Sequence, residues 1–424
     1  MTNRKKWAKH VILPHKLWFN EVRIADEKFR IRLKKRSSIL KRNRFFTTSI
    51  AVFILCSMVL LPGCRKGKKK GTTKVILDCD MGDMNDDALA LSMLIQEEKE
   101  GEIEVVGITL EGGNVLIDAE FESEGKVQTC AWDNTQAFLE KVGRTDIPVY
   151  RGTDLPIGYT QENISELAQF YETADYLPYC DAYGAIHAYT RTTHGRLCDS
   201  DEAAQFLIDT VKKYPGEVVI VASGPTMNIA RAIKQDDTFA RNVMAIYYMG
   251  GALGARYEVM SMQGRQVQAI EGANVTPFAE YNVLYDPVAF DICLTAGFPK
   301  QVISPAEMSM AFNEGVYDKW RAADTSGSVA HAWMQQYEVL LPDMPYWDPI
   351  IAYALIRPSS VTLTEQYITV NTNREEDEFG ATYSISVDQY NQLPEEEKHA
   401  YGAISVVTKV EDFWEETIAL LGKK

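Results

Sequence analysis

The densest concentration of reactive side chains in this 424-residue sequence is "LDCDMGDMNDDALAL", in which Asp78, Asp80, Asp83, Asp86 and Asp87 fall within ten residues. Carboxylates this close repel one another, and a compact fold tolerates them only when they are solvated, capped or neutralised by a cation. One or two could cap a helix starting at Asp86, since helix amino ends favour negative charge. Five exceed that need. A hard divalent cation such as calcium, which takes roughly six to eight oxygen ligands, would relieve the repulsion and put a strong local charge in the site.

The elements that must hold this stretch are legible on either side of it. "KVILD" reads as a strand, "DDALALSMLIQEEKE" as a helix with acids at its start, and "IEVVGITL" as the next strand, a βαβ unit. The rhythm returns in "AAQFLIDTVKKY", "GEVVIVASG", "PTMNIARAIKQ" and "VMAIYYMGG", predicting an α/β fold, a Rossmann-like, mostly parallel sheet flanked by helices. Ligands in that architecture sit at the carboxyl ends of strands, where the aspartates begin. Residues 120–127, 159–200 and 254–275 interrupt the rhythm and read as loops over those ends. From Tyr367 onward the sequence predicts a small antiparallel pair and a closing helix.

Charge is unevenly distributed. The formal net charge is −15, yet residues 1–44 hold 15 Lys/Arg against three acids and "RKGKKKGTTK" adds six more basic residues. Everything after Lys74 is therefore strongly acidic, which excludes nucleic acid as a partner. Between the basic regions lies an apolar run, Phe45 to Leu61, ending in Leu61-Pro62-Gly63-Cys64. The run reads as a signal-peptide core and the tetrapeptide resembles a bacterial lipobox, with Cys64 as the lipidated residue; an uncleaved N-terminal anchor is the alternative. Either places the acidic domain outside the cytoplasm, attached to the bacterial cell membrane. The expected organisation is a basic N-region and signal peptide over 1–64, a basic linker over 65–73 and one domain over 74–424. Seven cysteines show no zinc-type spacing; Cys180 with Cys198 is a candidate bridge.

An EF-hand does not fit the acidic loop: counted from Asp78, the sixth position is Asp83 rather than glycine and the twelfth is Leu89 rather than glutamate. A haloacid-dehalogenase-type phosphatase shares the strand-end Asp-x-Asp but leaves Asp86-Asp87 unexplained. The motif, followed in order by "VVGITLEGGN", "GRTDIPVYRG", "PGEVVIVASGPTMNIARAI", "MGGA", "NVTPFAEYNVLYDP" and "YWDP", resembles the inosine-uridine preferring nucleoside hydrolases. The likeness spans Lys74 to Pro358 strongly and the tail weakly.

The resemblance implies calcium held by Asp80, Asp87, Asp348 and the backbone carbonyl of Ser223, with Asp80 and Asp87 as catalytic residues and Asp80 taking a proton from the attacking water. It implies ribose contacts from Asp86, Asn114, Glu280 and Asn282, with Met249 and Asn274 lining the sugar pocket. This is consistent chemistry, because N-glycosidic cleavage passes through an oxocarbenium-like sugar that needs nearby negative charge, an activated water and fixed hydroxyls. Asp78 and Asp83 are assigned structural or solvated roles, Asn228 a structural one, and Asp348 can cap a helix while facing a metal.

One position departs from the family. Where many members carry a histidine before the last metal aspartate, this sequence has Trp347, which could stack on a base or fill a core pocket. His187 and His194 are the alternative leaving-group donors. The function expected is calcium-dependent hydrolysis of ribonucleosides to ribose and base. The rivals are hydrolysis of a related N-riboside and capture of nucleosides by a non-catalytic surface lipoprotein. A nucleoside or riboside is the small-molecule partner, and homo-oligomerisation is left open.

Overall fold

A computed structural model describes residues 72–82, 86–123, 126–173, 197–262, 265–270, 272–273, 276–310, 327–329, 331–332 and 346–423. The chain divides into two units, Met1–Lys68 and Lys69–Lys424, and every described residue lies in the second. Cys64 and the apolar run before it, Asp83, Cys180, His187, His194 and Asn274 lie outside the described residues.

The expected βαβ opening is present. Strand β1 (Thr73–Cys79) leads to helix α1 (Asp86–Glu100) and strand β2 (Ile103–Leu110). β1 alternates nothing: Val75 to Cys79 are all buried, as expected of a strand covered on both faces. After a short hairpin, β3 (Phe121–Ser123) and β4 (Lys126–Gln128), come helix α2 (Ala131–Val142) and strand β5 (Val149–Arg151). Helix α3 (Glu202–Lys213), strand β6 (Val218–Ala222), helix α4 (Met227–Gln235) and strand β7 (Ala245–Met249) repeat the unit. A second hairpin, β8 (Arg256–Met262) and β9 (Arg265–Ile270), follows. Two of the interruptions read as loops are thus hairpins.

The remainder contributes helix α5 (Tyr281–Tyr285), helix α6 (Pro287–Thr295), strand β10 (Gln301–Ser304), helix α7 (Pro349–Ile356), strands β11 (Val361–Val370), β12 (Thr382–Ser386) and β13 (Gly402–Val410), and the closing helix α8 (Phe413–Leu421). The main sheet has nine strands in the order β12-β11-β13-β10-β7-β6-β1-β2-β5. Pairing is parallel from β5 to β13 and antiparallel for β13-β11 and β11-β12. The antiparallel pair expected in the tail exists, but it is fused to the main sheet because β13 inserts between β10 and β11.

This order creates the site. From β1 the chain goes one way to β2 and β5, then returns past β1 to β6, β7 and β10 on the other side. Connections leaving β1 and β6 diverge to opposite sides, opening a crevice at their carboxyl ends. α1 is buried from Asp86 to Glu97 and packs against α7 and α8 as well as β2, so its amino end is held rigidly over that crevice. Among the described residues no helix is long and apolar enough to cross a membrane. Cys198 carries a free thiol that donates to the Gly152 carbonyl; Cys180, its candidate partner, lies outside the described residues.

Candidate active site and metal centre

Asp78 and Asp80 stand at the carboxyl end of β1, both fully buried. Asp78 is an anchor: its Oδ1 accepts from Thr109 Oγ1 at 2.6 Å and from Asn228 Nδ2 at 2.9 Å, tying β1 to β2 and to the start of α4. Asn228, which also donates to the Leu110 carbonyl, is structural as expected. Asp80 is held differently. Its Oδ2 accepts from the Asn114 backbone N–H at 2.5 Å, while Oδ1 is buried without a hydrogen-bond partner. The loop after β2 lies directly on this carboxylate: a Cβ on Gly113 would sit 2.0 Å from Asp80 Oδ2, so only glycine fits there.

Asp86 and Asp87 open α1, where the helix end favours them. Asp348 occupies the cap position of α7, with Pro349 in the first turn, yet its side chain makes no capping bond. It turns instead toward α1, and one carboxylate oxygen each from Asp86, Asp87 and Asp348 lie within 4.8 Å of one another. The tightest triple therefore contains Asp86, which the sequence assigned to ribose, where Asp80 was expected. Asp87 Oδ1 accepts from the Ser223 hydroxyl at 2.5 Å, and Asp86 Oδ2 accepts weakly from the Trp347 backbone N–H at 3.4 Å.

Electrostatics mark the cluster off. Burial first, and then the charge of Asp87, raise Asp86 to about 7 and Asp80 well above the usual carboxylate range. Burial and the charges of Asp86, Asp87 and Asp80 raise Asp348 likewise. Burial raises Asp87 to about 6 against the opposing pull of the Ser223 hydroxyl. Buried carboxylates that raise one another's pKa, all-oxygen donors and unpartnered oxygens on Asp80 and Asp86 are what a hard divalent cation requires, so the cluster could hold a metal ion.

The sugar-side residues gather around β6, β7 and α5. Asn282 Nδ2 donates to the carbonyls of Ser223 at 2.7 Å and Met249 at 3.2 Å, bridging the ends of β6 and β7. Glu280 caps α5: its carboxylate accepts from the backbone N–H groups of Asn282, Val283 and Gly251. Burial raises it to about 7 against those three bonds. Trp347 is buried at 8 % exposure, and its indole N–H has no partner among the described residues.

Among the described residues, the buried acids Glu111, Asp154 and Asp286 are ones that sequence reasoning did not single out. Glu111, at the end of β2, accepts from the backbone N–H groups of Thr226 and Asn228, which Thr226 presents by adopting a left-handed conformation at φ 68°. Asp154 accepts from Ile117 and Cys198, and Asp286 from Ile157 and Ala289. The available signal was positional: Glu111 follows a strand and Asp286 precedes a helix-starting proline.

Comparison with known proteins bears on the fold and the family. The family model for the inosine-uridine preferring nucleoside hydrolases matches residues 75–415. A probable uridine nucleosidase of Arabidopsis thaliana is 30% identical over 323 residues, covering 71% of this chain and 82% of the relative. The pyrimidine-specific ribonucleoside hydrolase RihB of Escherichia coli is 26% identical over 308 residues, covering 71% of this chain and 83% of that one. A solved plant nucleoside hydrolase superposes with a TM-score of 0.56 at 24% identity, covering 82% of this chain and 98% of its own, which establishes the shared fold. The chain belongs to the inosine-uridine preferring nucleoside hydrolase family, whose reaction is cleavage of the nucleoside N-glycosidic bond.

Proposed function

We propose that this protein is a calcium-dependent hydrolase of ribonucleosides, releasing ribose and the free base. The observation that carries the reading is the acidic cluster: Asp86, Asp87 and Asp348 bring one oxygen each within 4.8 Å of one another, and Asp80, which interacts with all three by charge, has one oxygen pinned by a backbone N–H and the other unpartnered. Asp80, Asp87, Asp348 and the Ser223 carbonyl would hold the ion, with Asp86 alongside. When bound, calcium offsets the carboxylate repulsion, orders the ribose hydroxyls and favours deprotonation of water.

The protein's own groups do the rest. Asp80 would accept a proton from the attacking water through Oδ1, and the remaining carboxylates would supply the negative field that an oxocarbenium-like sugar needs. Asn114, Asn274 and Asn282 would hold the ribose, with Met249 against it. Glu280 would contact ribose from the cap of α5, where its carboxylate also accepts from the backbone N–H groups of Asn282, Val283 and Gly251. On the leaving-group side, the unpartnered Trp347 indole N–H is a donor that a base carbonyl or ring nitrogen would satisfy, while its ring offers a stacking surface. His187 and His194 are the further candidates for that side.

We also infer membrane attachment through a lipidated Cys64, supported by the apolar run from Phe45 to Leu61 and the tetrapeptide that ends it. Cys64→Ser would then release the protein from the membrane fraction; retention would favour an uncleaved anchor. The activity is tested by following ribose release from a panel of purine and pyrimidine nucleosides, with calcium and with chelator. Chelator-sensitive release supports the reading and names the base. Tight calcium binding with no release from any nucleoside would replace it by a related riboside or by capture alone.

A further inference from the structure

The Tyr281 hydroxyl donates to the Gly113 carbonyl at 2.6 Å. The next atom along that peptide unit is the Asn114 nitrogen, whose N–H donates to Asp80 Oδ2 at 2.5 Å. A trans peptide points its C=O and N–H in opposite directions, so one amide carries both contacts: the hydroxyl on one side, the carboxylate on the other. Tyr281 and Asp80 are both buried. The two bonds form a relay from α5, across one peptide of the loop after β2, to the carboxylate at the end of β1.

We propose that Tyr281 is a positioning residue for Asp80, acting through the Gly113–Asn114 peptide. The reason such a lock is needed lies in Gly113. The approach of the loop to Asp80 excludes a Cβ at this position, and glycine in turn leaves the peptide free to rotate. A rotated peptide would present its carbonyl to the Asp80 carboxylate and withdraw the N–H. The Tyr281 hydroxyl opposes that rotation by holding the carbonyl, and the low local polarity strengthens both bonds of the series. Because Oδ2 is pinned in this way, Oδ1 is the oxygen left without a partner. The relay therefore decides which oxygen of Asp80 faces ion and water.

The proposal rests on Asp80 being a metal ligand and base, and its test separates the two ideas. Tyr281→Phe keeps the ring and removes only the hydroxyl. Calcium affinity, measured by titration calorimetry without substrate, and kcat and KM for the best nucleoside are compared among wild type, Tyr281→Phe and Asp80→Asn. Loss of an outer hydrogen bond behind a metal ligand costs on the order of 10- to 100-fold in affinity or turnover. Tyr281→Phe should weaken calcium binding about tenfold and lower kcat about tenfold. KM should change less than twofold and the melting temperature should stay near wild type, which a general loss of structure would not produce. A crystal structure of the variant should show the Gly113–Asn114 peptide rotated or Asp80 released from it. Calcium affinity and kcat both within twofold of wild type would overturn the relay. If wild type hydrolyses no nucleoside, it is the functional reading that fails, and the calcium titration still decides whether Tyr281 governs Asp80.

Discussion

Asp80 and Asp286 are both buried aspartates near the same end of the sheet, and they are satisfied in opposite ways. Asp286 gives each carboxylate oxygen a backbone N–H, from Ala289 at 2.9 Å and Ile157 at 2.6 Å. Asp154 does the same with Ile117 and Cys198. Asp80 has one such bond and an unpartnered oxygen, and the charges of Asp86, Asp87 and Asp348 act on or with it. Burial raises the pKa in both regions. At Asp286 several backbone N–H groups and the Arg231 charge oppose the rise, whereas at Asp80 and Asp348 neighbouring carboxylate charges add to it. A buried carboxylate that holds two donors, as Asp286, Asp154 and Asp78 do, is part of the scaffold, while Asp80, with one donor among other acids, is left to a ligand.

The largest expected effect breaks this contrast from the catalytic side. Asp80→Asn should lower kcat by roughly 10³-fold or more, because the amide cannot take the proton from water. Its melting temperature in chelator should not fall, since the substitution removes a charge that the fold holds against repulsion. Collapse of the fold in Asp80→Asn would place Asp80 with the scaffold acids instead.

Calcium should distinguish the regions next. At a hundredfold excess over Kd, a ligand bound only by the folded state stabilises by about 2.7 kcal/mol. Thermal melts of wild type and Asp286→Asn should both show this gain, and Asp87→Asn should lose most of it. In chelator, Asp87→Asn should melt higher than wild type, because the Asp87 charge is what raises Asp80 and Asp86 after burial. An equal calcium gain in Asp87→Asn would remove it from the metal centre.

Smaller effects come from the scaffold side. Asp286→Asn leaves one backbone N–H facing an amide donor and should cost about 1–3 kcal/mol by urea denaturation, with kcat unchanged. The cost should depend on pH. Asp286 is raised to about 6 in the fold, above its unfolded value near 4, so its stabilisation is complete below about pH 4 and declines as pH rises through 6. Asparagine does not titrate, so the gap between variant and wild type should narrow from pH 4 to pH 7. A gap that widens over that range would mean that Asp286 is ionised throughout and that its two N–H bonds outweigh burial.

Much of this was legible in the chain itself. Strand and helix periods located β1, α1, β2, β6, α4 and β7, because the short-range patterns of a parallel sheet are set by burial on both faces. The acidic stretch announced a cluster needing a counter-charge, and Asp348 stood out by its place before Pro349. Other features had no local signal. β13 lies between β10 and β11 although it follows both in sequence, since strand order is decided by which edges can be covered. Glu111 and Asp154, and one oxygen of Asp286, take their donors from residues distant in the chain, so only the position of Glu111 after a strand and of Asp286 before a proline hinted at burial.

Local pattern and motif order were enough for the repeating strands and helices, the acidic loop at a strand end and the family, but not for the two hairpins, because the former depend on neighbours within a few residues. Tertiary structure alone decided which carboxylates become partners and which are left without donors. The grouping of Asp348 with Asp86 and Asp87 joins residues some 260 positions apart. The orientation of Asp80 is set by a hydroxyl on Tyr281, bonded to a carbonyl 168 residues earlier. Hydrogen-bond satisfaction in a buried site is a property of the assembled surroundings, and no single segment carries it.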